Sequence, residues 1–300
     1  MDRLIQNNRA IIVPIDFSIT SENALMHAAD HAHVFKNDIV MLHIIEESYL
    51  SSLFGSNQNY KNDMIKTGVE LKLEELKTKI LSKYPKLKID YFVYTGKVYK
   101  AIVEVSEKMN CDCIIMGTNG AEGIEHIVGS TSSRVMSYAD VPVIIVNEFP
   151  KKGKYEKIIL PIDQTIESKQ KVTWAIHIAK KYNSEVHIIC EVEDDEFLRN
   201  RIKATIYQVK NILEQNNVKC LIYELGNKEY PGRLGDDTLK YADEISADLI
   251  LIMTHQEKGF TEYIFGSEAQ HIVNRVKRVP VMCIHPKETG FKYEGTDGFY

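Results

Sequence analysis

Ile11-Ile12-Val13-Pro14-Ile15-Asp16-Phe17-Ser18 is an apolar run closed by an acid and a hydroxyl, and the chain contains it twice. It returns as Ile158-Ile159-Leu160-Pro161-Ile162-Asp163-Gln164-Thr165, with five of the eight positions identical. Two further pairs flank these in the same order. Cys111-Asp112-Cys113-Ile114-Ile115-Met116 matches Ala247-Asp248-Leu249-Ile250-Leu251-Ile252, and Val141-Pro142-Val143-Ile144-Ile145 matches Val279-Pro280-Val281-Met282-Cys283. A fixed order of repeated segments marks a tandem duplication. The 300 residues therefore divide into domains over 1–149 and 155–286, with a Gly-rich tail over 287–300. Pro150-Lys151-Lys152-Gly153-Lys154, polar and carrying both chain breakers, reads as the linker. The tail reads as frayed, with its aromatic residues open to docking elsewhere.

Within each half, short apolar runs alternate with longer amphipathic segments. Strands are predicted near 10–16, 38–45, 87–94, 112–117 and 142–146, with helices near 20–36, 61–83, 97–109 and 130–138. The second half repeats the strands near 157–162, 185–191, 218–224, 248–253 and 280–285. The runs 39–45 and 249–253 are almost continuously apolar, as strands buried on both faces are. Regular strand–helix alternation implies an α/β fold: two doubly wound domains, each with a parallel sheet and right-handed crossovers. Ligands on such sheets bind beyond the carboxyl ends of the strands, where the strand order reverses. The polar stretch 48–62 breaks the rhythm and reads as a surface loop or a lid.

Composition narrows the function. Hydrophobic residues at 44% and charged residues at 26% fit a globular chain and exclude a disordered one. The net charge is −5, from 37 basic and 42 acidic residues, without the concentrated basic face that nucleic acid requires. No apolar run approaches the ~20 residues of a membrane-spanning helix, and the first eight residues lack a signal-peptide core. A cytoplasmic protein is expected, with no membrane and no nucleic-acid partner. Five cysteines are too few and odd in number for a disulfide framework, and read as reduced, buried thiols.

The fourth strand of the first half runs into Met116-Gly117-Thr118-Asn119-Gly120-Ala121-Glu122-Gly123, and Gly129-Ser130-Thr131-Ser132-Ser133 opens the next helix. Glycines at a strand end let backbone approach a ligand. A helix start with Ser130 as N-cap offers N–H groups to an anion. This outlines a phosphate cradle, and equally a capped helix after a turn-rich loop. It is not a P-loop, because no Gly-Lys-Ser/Thr follows. Asp16, at the end of the first strand, stands where a base's exocyclic amine could be met. It could instead cap the following helix, although Ser18, Thr20 and Ser21 are better placed to do so.

These segments resemble the universal stress protein family in its tandem form. The shared features are the first strand ending in Asp16 and Ser18, Leu42-His43-Ile44 in the second strand, Met116-Gly117-Thr118, Gly129-Ser130, and the closing Val141-Pro142-Val143. The resemblance implies a five-stranded parallel sheet with helices on both faces, the Rossmann-like, adenine nucleotide alpha hydrolase-like fold. Many members bind ATP through a G-x2-G-x9-G-[S/T] motif. It further implies that Asp16 faces adenine, that Pro14, Ile15 and Ile44 line its pocket, and that Met116 and Gly117 meet the ribose. Gly120, Gly129, Ser130, Thr131 and Ser132 would hold the phosphates. Eight residues separate Gly120 from Gly129, where the family has nine. In the second half Met253 and Gln256 replace the first two glycines, leaving Asp163 and Gly266-Ser267. Ligand binding there is expected to be absent or different.

The resemblance also implies pairing of the two halves through their last strands; homo-oligomer formation stays open. His27 and His31, at i and i+4, could share a metal, but no third ligand is evident and none is assigned. His43 reads as a packing residue, His255 as a loop residue, and 193–196 as an acidic helix start. No catalytic residue is assigned. The expectation is a stress-response regulatory protein binding ATP, ADP or AMP, with Mg, mainly in the first domain, and at most a slow ATPase. The alternative is a non-catalytic scaffold, or a binder of a different ligand with a vestigial nucleotide site.

Overall fold

Ala10, Ile11, Ile12 and Val13 are all buried, so the strand they form lies inside a sheet rather than at its margin. The computed structural model describes residues 10–46, 58–118, 129–147, 153–162, 170–191, 195–225, 234–256, 263–264 and 266–286. The chain separates into two units, Met1–Gly153 and Lys154–Tyr300.

The first unit contains β1 (Ala10–Pro14), α1 (Ile19–Phe35), β2 (Asp38–Ile45), α2 (Gln58–Lys83), β3 (Ile89–Thr95), α3 (Val98–Met109), β4 (Cys113–Gly117), α4 (Ser130–Tyr138) and β5 (Val143–Val146). Its strands run in the order β3-β2-β1-β4-β5, and all pairings are parallel. The order reverses between β1 and β4, which makes the carboxyl ends of those strands the switch point. Ser18 caps α1, its side chain accepting from the Ser21 N–H at 3.2 Å. Lys36 ends the helix in the left-handed region at φ 64°, its N–H bonded to the Ala32 carbonyl. Ala24, Ala28, Ala29 and Ala32 are buried on α1, and small side chains allow the helix to pack closely on the sheet.

The second unit contains β6 (Lys157–Pro161), α5 (Lys171–Tyr182), β7 (Glu185–Glu191), α6 (Glu196–Gln215), β8 (Lys219–Leu225), α7 (Leu234–Glu244), β9 (Leu249–Met253), β10 (His255–Gln256), β11 (Tyr263–Ile264), α8 (Ser267–Arg275) and β12 (Val281–Ile284). Its parallel order, β12-β9-β6-β7-β8, repeats that of the first unit. Asp195, from the expected acidic helix start, caps α6 by accepting from the Leu198 N–H at 2.8 Å.

Three corrections arise here. The N-cap of α4 is Gly129, at φ −64° and ψ 158°, and Ser130 is the first helical residue. His255 lies in β10, which pairs antiparallel with β11, rather than in a glycine-type loop. The helix expected from residue 61 begins at Gln58, so the end of the 48–62 stretch is helical and 48–57 lies outside the described residues. Gly120, Asp163 and the tail 287–300 also lie outside them. Among the described residues no helix is long and apolar enough to cross a membrane.

Candidate functional site

The switch point of the first unit is held by two side-chain-to-backbone hydrogen bonds. Thr20 Oγ1, in the first turn of α1, donates to the Thr118 carbonyl at 2.9 Å. Ser132 Oγ, in the first turn of α4, donates to the Gly117 carbonyl at 3.1 Å. These bonds bring the starts of α1 and α4 together at the carboxyl end of β4. Gly117 is what permits this approach: a Cβ there would stand 2.7 Å from the Thr20 carbonyl carbon and 2.8 Å from its oxygen. Ser132 is buried, Thr131 half-buried and Ser130 exposed, so the three hydroxyl residues present different depths at one helix start. The first N–H groups of a helix have no partner within it and favour an anion.

Across β1, the turn into α1 is tightly organised. Asp16 Oδ1 accepts from the Ser18 N–H at 3.0 Å and from Ser18 Oγ at 2.5 Å. Burial pulls the Asp16 carboxyl upward, but hydrogen bonds from Ser18 and Ser21 outweigh it and hold the group below its ordinary value. Asp16 thus supports the cap residue of α1 as a carboxylate. Phe17 adopts φ 62°, a left-handed conformation that a bulky side chain rarely occupies, and such strain gathers at functional turns. The Ile15 N–H donates to the Leu42 carbonyl at 2.9 Å. The Ile15 carbonyl accepts from His43 Nδ1 at 2.7 Å. Because a carbonyl only accepts, the His43 proton sits on Nδ1.

A cleft of about 530 Å³ opens beside this turn, between the end of β2 and α2. It is lined by Phe17, His43, Ile44, Ile45, Glu46, Ile65, Gly68, Val69 and Lys72. The Phe17 and His43 rings lie 4.9 Å apart between centroids, and Lys72 Nζ stands 5.2 Å from the Phe17 ring centre. Burial pulls His43 below its ordinary value and nearby Lys72 adds to this, while the bond to Ile15 and the Asp16 charge act against it. Among the residues expected from sequence, Ile44 lines the cleft. Pro14, Ile15 and Met116 surround the ends of β1 and β4, where Ile15 and Met116 are buried and Pro14 half-buried. Gly129 to Ser132 form the α4 start.

The second unit is built differently at the matching place. Met253 is buried at the end of β9, and buried Thr254 bonds to the Ile284 carbonyl at 3.3 Å and to His285 Nδ1 at 2.7 Å. The chain then enters β10, at the place where the first unit's sequence continues into Asn119 and Gly120. Lys171, in the first turn of α5, is also buried.

Comparison with known proteins follows this doubling. Residues 7–147 and 154–285 each match the Universal stress protein family. The chain belongs to that family. A universal stress protein of Methanocaldococcus jannaschii, MJ0531, is 30% identical over 146 residues, covering 48% of this chain and 84% of its own length. A second from the same organism, MJ0577, is 26% identical over 154 residues, covering 46% of this chain and 94% of its own. The crystal structure of a universal stress protein from Archaeoglobus fulgidus covers 94% of this chain and 100% of its own at TM-score 0.75 and 23% identity, a likeness of fold. Each M. jannaschii relative thus corresponds to about one unit of this tandem chain.

The sequence reading missed Phe17, Gly68 and Lys72, and took His43 for packing. Gly68 carried a usable signal, since an isolated glycine inside a helical segment costs the helix stability relative to alanine.

Proposed function

We propose that the first unit binds an adenine nucleotide across the carboxyl ends of β2, β1 and β4, and that the chain acts as a nucleotide-responsive regulatory protein. The observation that carries this reading is the bond from Ser132 to Gly117. It stations the start of α4 at β4, two strands from the cleft at β2. Neighbouring strands lie about 4.8 Å apart, so the strand ends that carry the anion-favouring helix start and the ring-sized cleft are separated by roughly 10 Å. A ribose joining a purine to its phosphates spans such a gap. The cleft volume lies within the range of small-ligand sites. The family resemblance supplies ATP as the first candidate, with ADP and AMP beside it, and any Mg would accompany the phosphates.

The second unit is assigned no nucleotide, because buried Met253 and Thr254 occupy the matching end of β9. The role proposed is binding rather than turnover. Titration calorimetry with ATP is expected to give one site per chain. Asp16→Ala, which releases Ser18 and loosens the turn, is expected to weaken ATP about tenfold or more. Two equal sites, or no measurable ATP binding by the intact chain, would sink the proposal.

A further inference from the structure

We propose that the cleft between β2 and α2 takes the base of the nucleotide, and that His43 selects it by accepting an N–H of an exocyclic amine on Nε2. This rests on the nucleotide reading above and adds the residue that discriminates the base and the condition under which it lets go.

Three observations lead here. First, the Ile15 carbonyl consumes Nδ1–H at 2.7 Å, so in the neutral ring Nε2 is a bare acceptor, the remaining polar atom that His43 offers a ligand. Second, the other walls suit a flat ring: Phe17 supplies an aromatic surface, and Ile44, Ile65 and Val69 supply aliphatic ones. Third, α2 contributes a glycine where it borders the cleft. Ile65, Gly68, Val69 and Lys72 follow the i, i+3, i+4, i+7 spacing of one helical face. A Cβ on Gly68 would meet nothing within 4 Å, so the glycine is not required by packing. It weakens the helix relative to alanine, and in return leaves the cleft open.

An acceptor in that position prefers adenine, which presents an amine, to hypoxanthine, which presents a carbonyl oxygen at the same place. It also makes binding sensitive to acid. Protonation turns Nε2 into a donor that faces the ligand's donor. The charged and titratable groups around the ring are Asp16 from the β1–α1 turn, Glu46 from the end of β2, and Lys72 from α2. Facing His43 in β3 is Val93, which carries no charge. Asp16 favours the protonated ring, whereas burial and Lys72 favour the neutral one and prevail. Binding is therefore strong at neutral pH and is lost on the acid side of the ordinary histidine value.

The test is adenosine and inosine binding to the intact chain from about pH 8 to about pH 5, a span in which neither nucleoside's base changes protonation. Wild type is expected to prefer adenosine about tenfold or more and, below the His43 pKa, to lose about tenfold in affinity per pH unit. His43→Asn keeps an amide N–H for Ile15 but removes the Nε2 acceptor. It is expected to abolish both the preference and the acid loss. Gly68→Leu fills the cleft from a helix position with free space, and is expected to abolish adenosine binding while circular dichroism keeps its wild-type value and thermal unfolding is no lower than in wild type. If ATP binds wild type but His43→Asn keeps the preference and the pH profile, or Gly68→Leu binds adenosine normally, the base-selection proposal falls and the nucleotide reading stands. If wild type binds no ATP at all, both fall.

Discussion

Gly117 shows how one missing side chain organises the switch point. Its Cα faces the Thr20 backbone so closely that a Cβ would lie 2.7–2.9 Å from three atoms of that residue. None of these is the end of a flexible side chain, so Gly117→Ala must push the start of α1 away from β4. The bond from Thr20 to the Thr118 carbonyl would stretch with it. Overpacking of this kind costs about 1–3 kcal/mol. Urea unfolding of Gly117→Ala is expected to show a loss in that range, with weaker ATP binding; a variant as stable as wild type would mean that the approach is soft. This glycine was legible in the sequence as part of a strand-end pattern, but its partner was not. Thr20 is 97 positions away, and only the parallel register of β1 with β4 brings the two together. Asp16 illustrates the reverse case: its partner is two positions away, and its Oδ1 accepts from the N–H and hydroxyl of Ser18, the cap residue of α1.

At the level of elements, the strands were readable because their apolar runs are short and nearly continuous, with longer mixed segments between them. The continuous apolar run of β2 is buried from Ile39 to Leu42, and β9 from Leu249 to Met253. What could not be read was how the elements frame a site. α2 is mostly polar, so its sequence gives little sign of the face it turns to β2, and Ile65, Val69 and Lys72 are unremarkable until the end of β2 is placed beside them. The β10–β11 pair was equally hidden, since two-residue strands carry no periodicity. α2 nevertheless permits a clean measurement. Gly68→Ala adds a methyl group into open space and removes the backbone freedom of glycine. It is expected to raise unfolding stability by about 0.5–1 kcal/mol. A destabilised Gly68→Ala would show that the helix needs glycine for its own geometry, and the open cleft would then need another explanation.

The two units share one strand order, and both bury a histidine whose neutral form the fold selects. In the first unit His27 is buried on α1, where loss of hydration pulls its pKa to about 4 against the opposing charge of Asp30. In the second, burial also lowers His187, with Glu185 acting in the opposite sense. The consequence for acid stability has a definite sign. The unfolded chain binds a proton at each histidine near pH 6.5, while the fold resists it. Stability is therefore complete above pH 6.5 and declines as pH falls toward the folded value. For His27, with a folded value of about 4, the decline amounts to about 3 kcal/mol by pH 4. Asp30 adds to acid loss at lower pH. Its carboxyl accepts from Tyr84, from Lys83 at 3.2 Å and from the Gly153 N–H at 3.1 Å. Although burial alone would raise it, these bonds hold it below its ordinary value. Its contribution is kept above about pH 4 and lost beneath that. His27→Leu removes the first process and leaves the second. Denaturant unfolding between pH 7 and pH 4, followed by far-ultraviolet circular dichroism, is expected to be less steep in pH for His27→Leu than for wild type. Trp174, the single tryptophan, lies in α5 of the second unit, so its fluorescence reports that unit and supplies an internal reference for the first. An equal slope in both proteins would mean that His27 is protonated in the fold and that its burial is relieved by a partner. The slope is the quantity to compare, because a change in packing shifts stability at every pH alike, whereas removal of a titrating group changes only its dependence on pH.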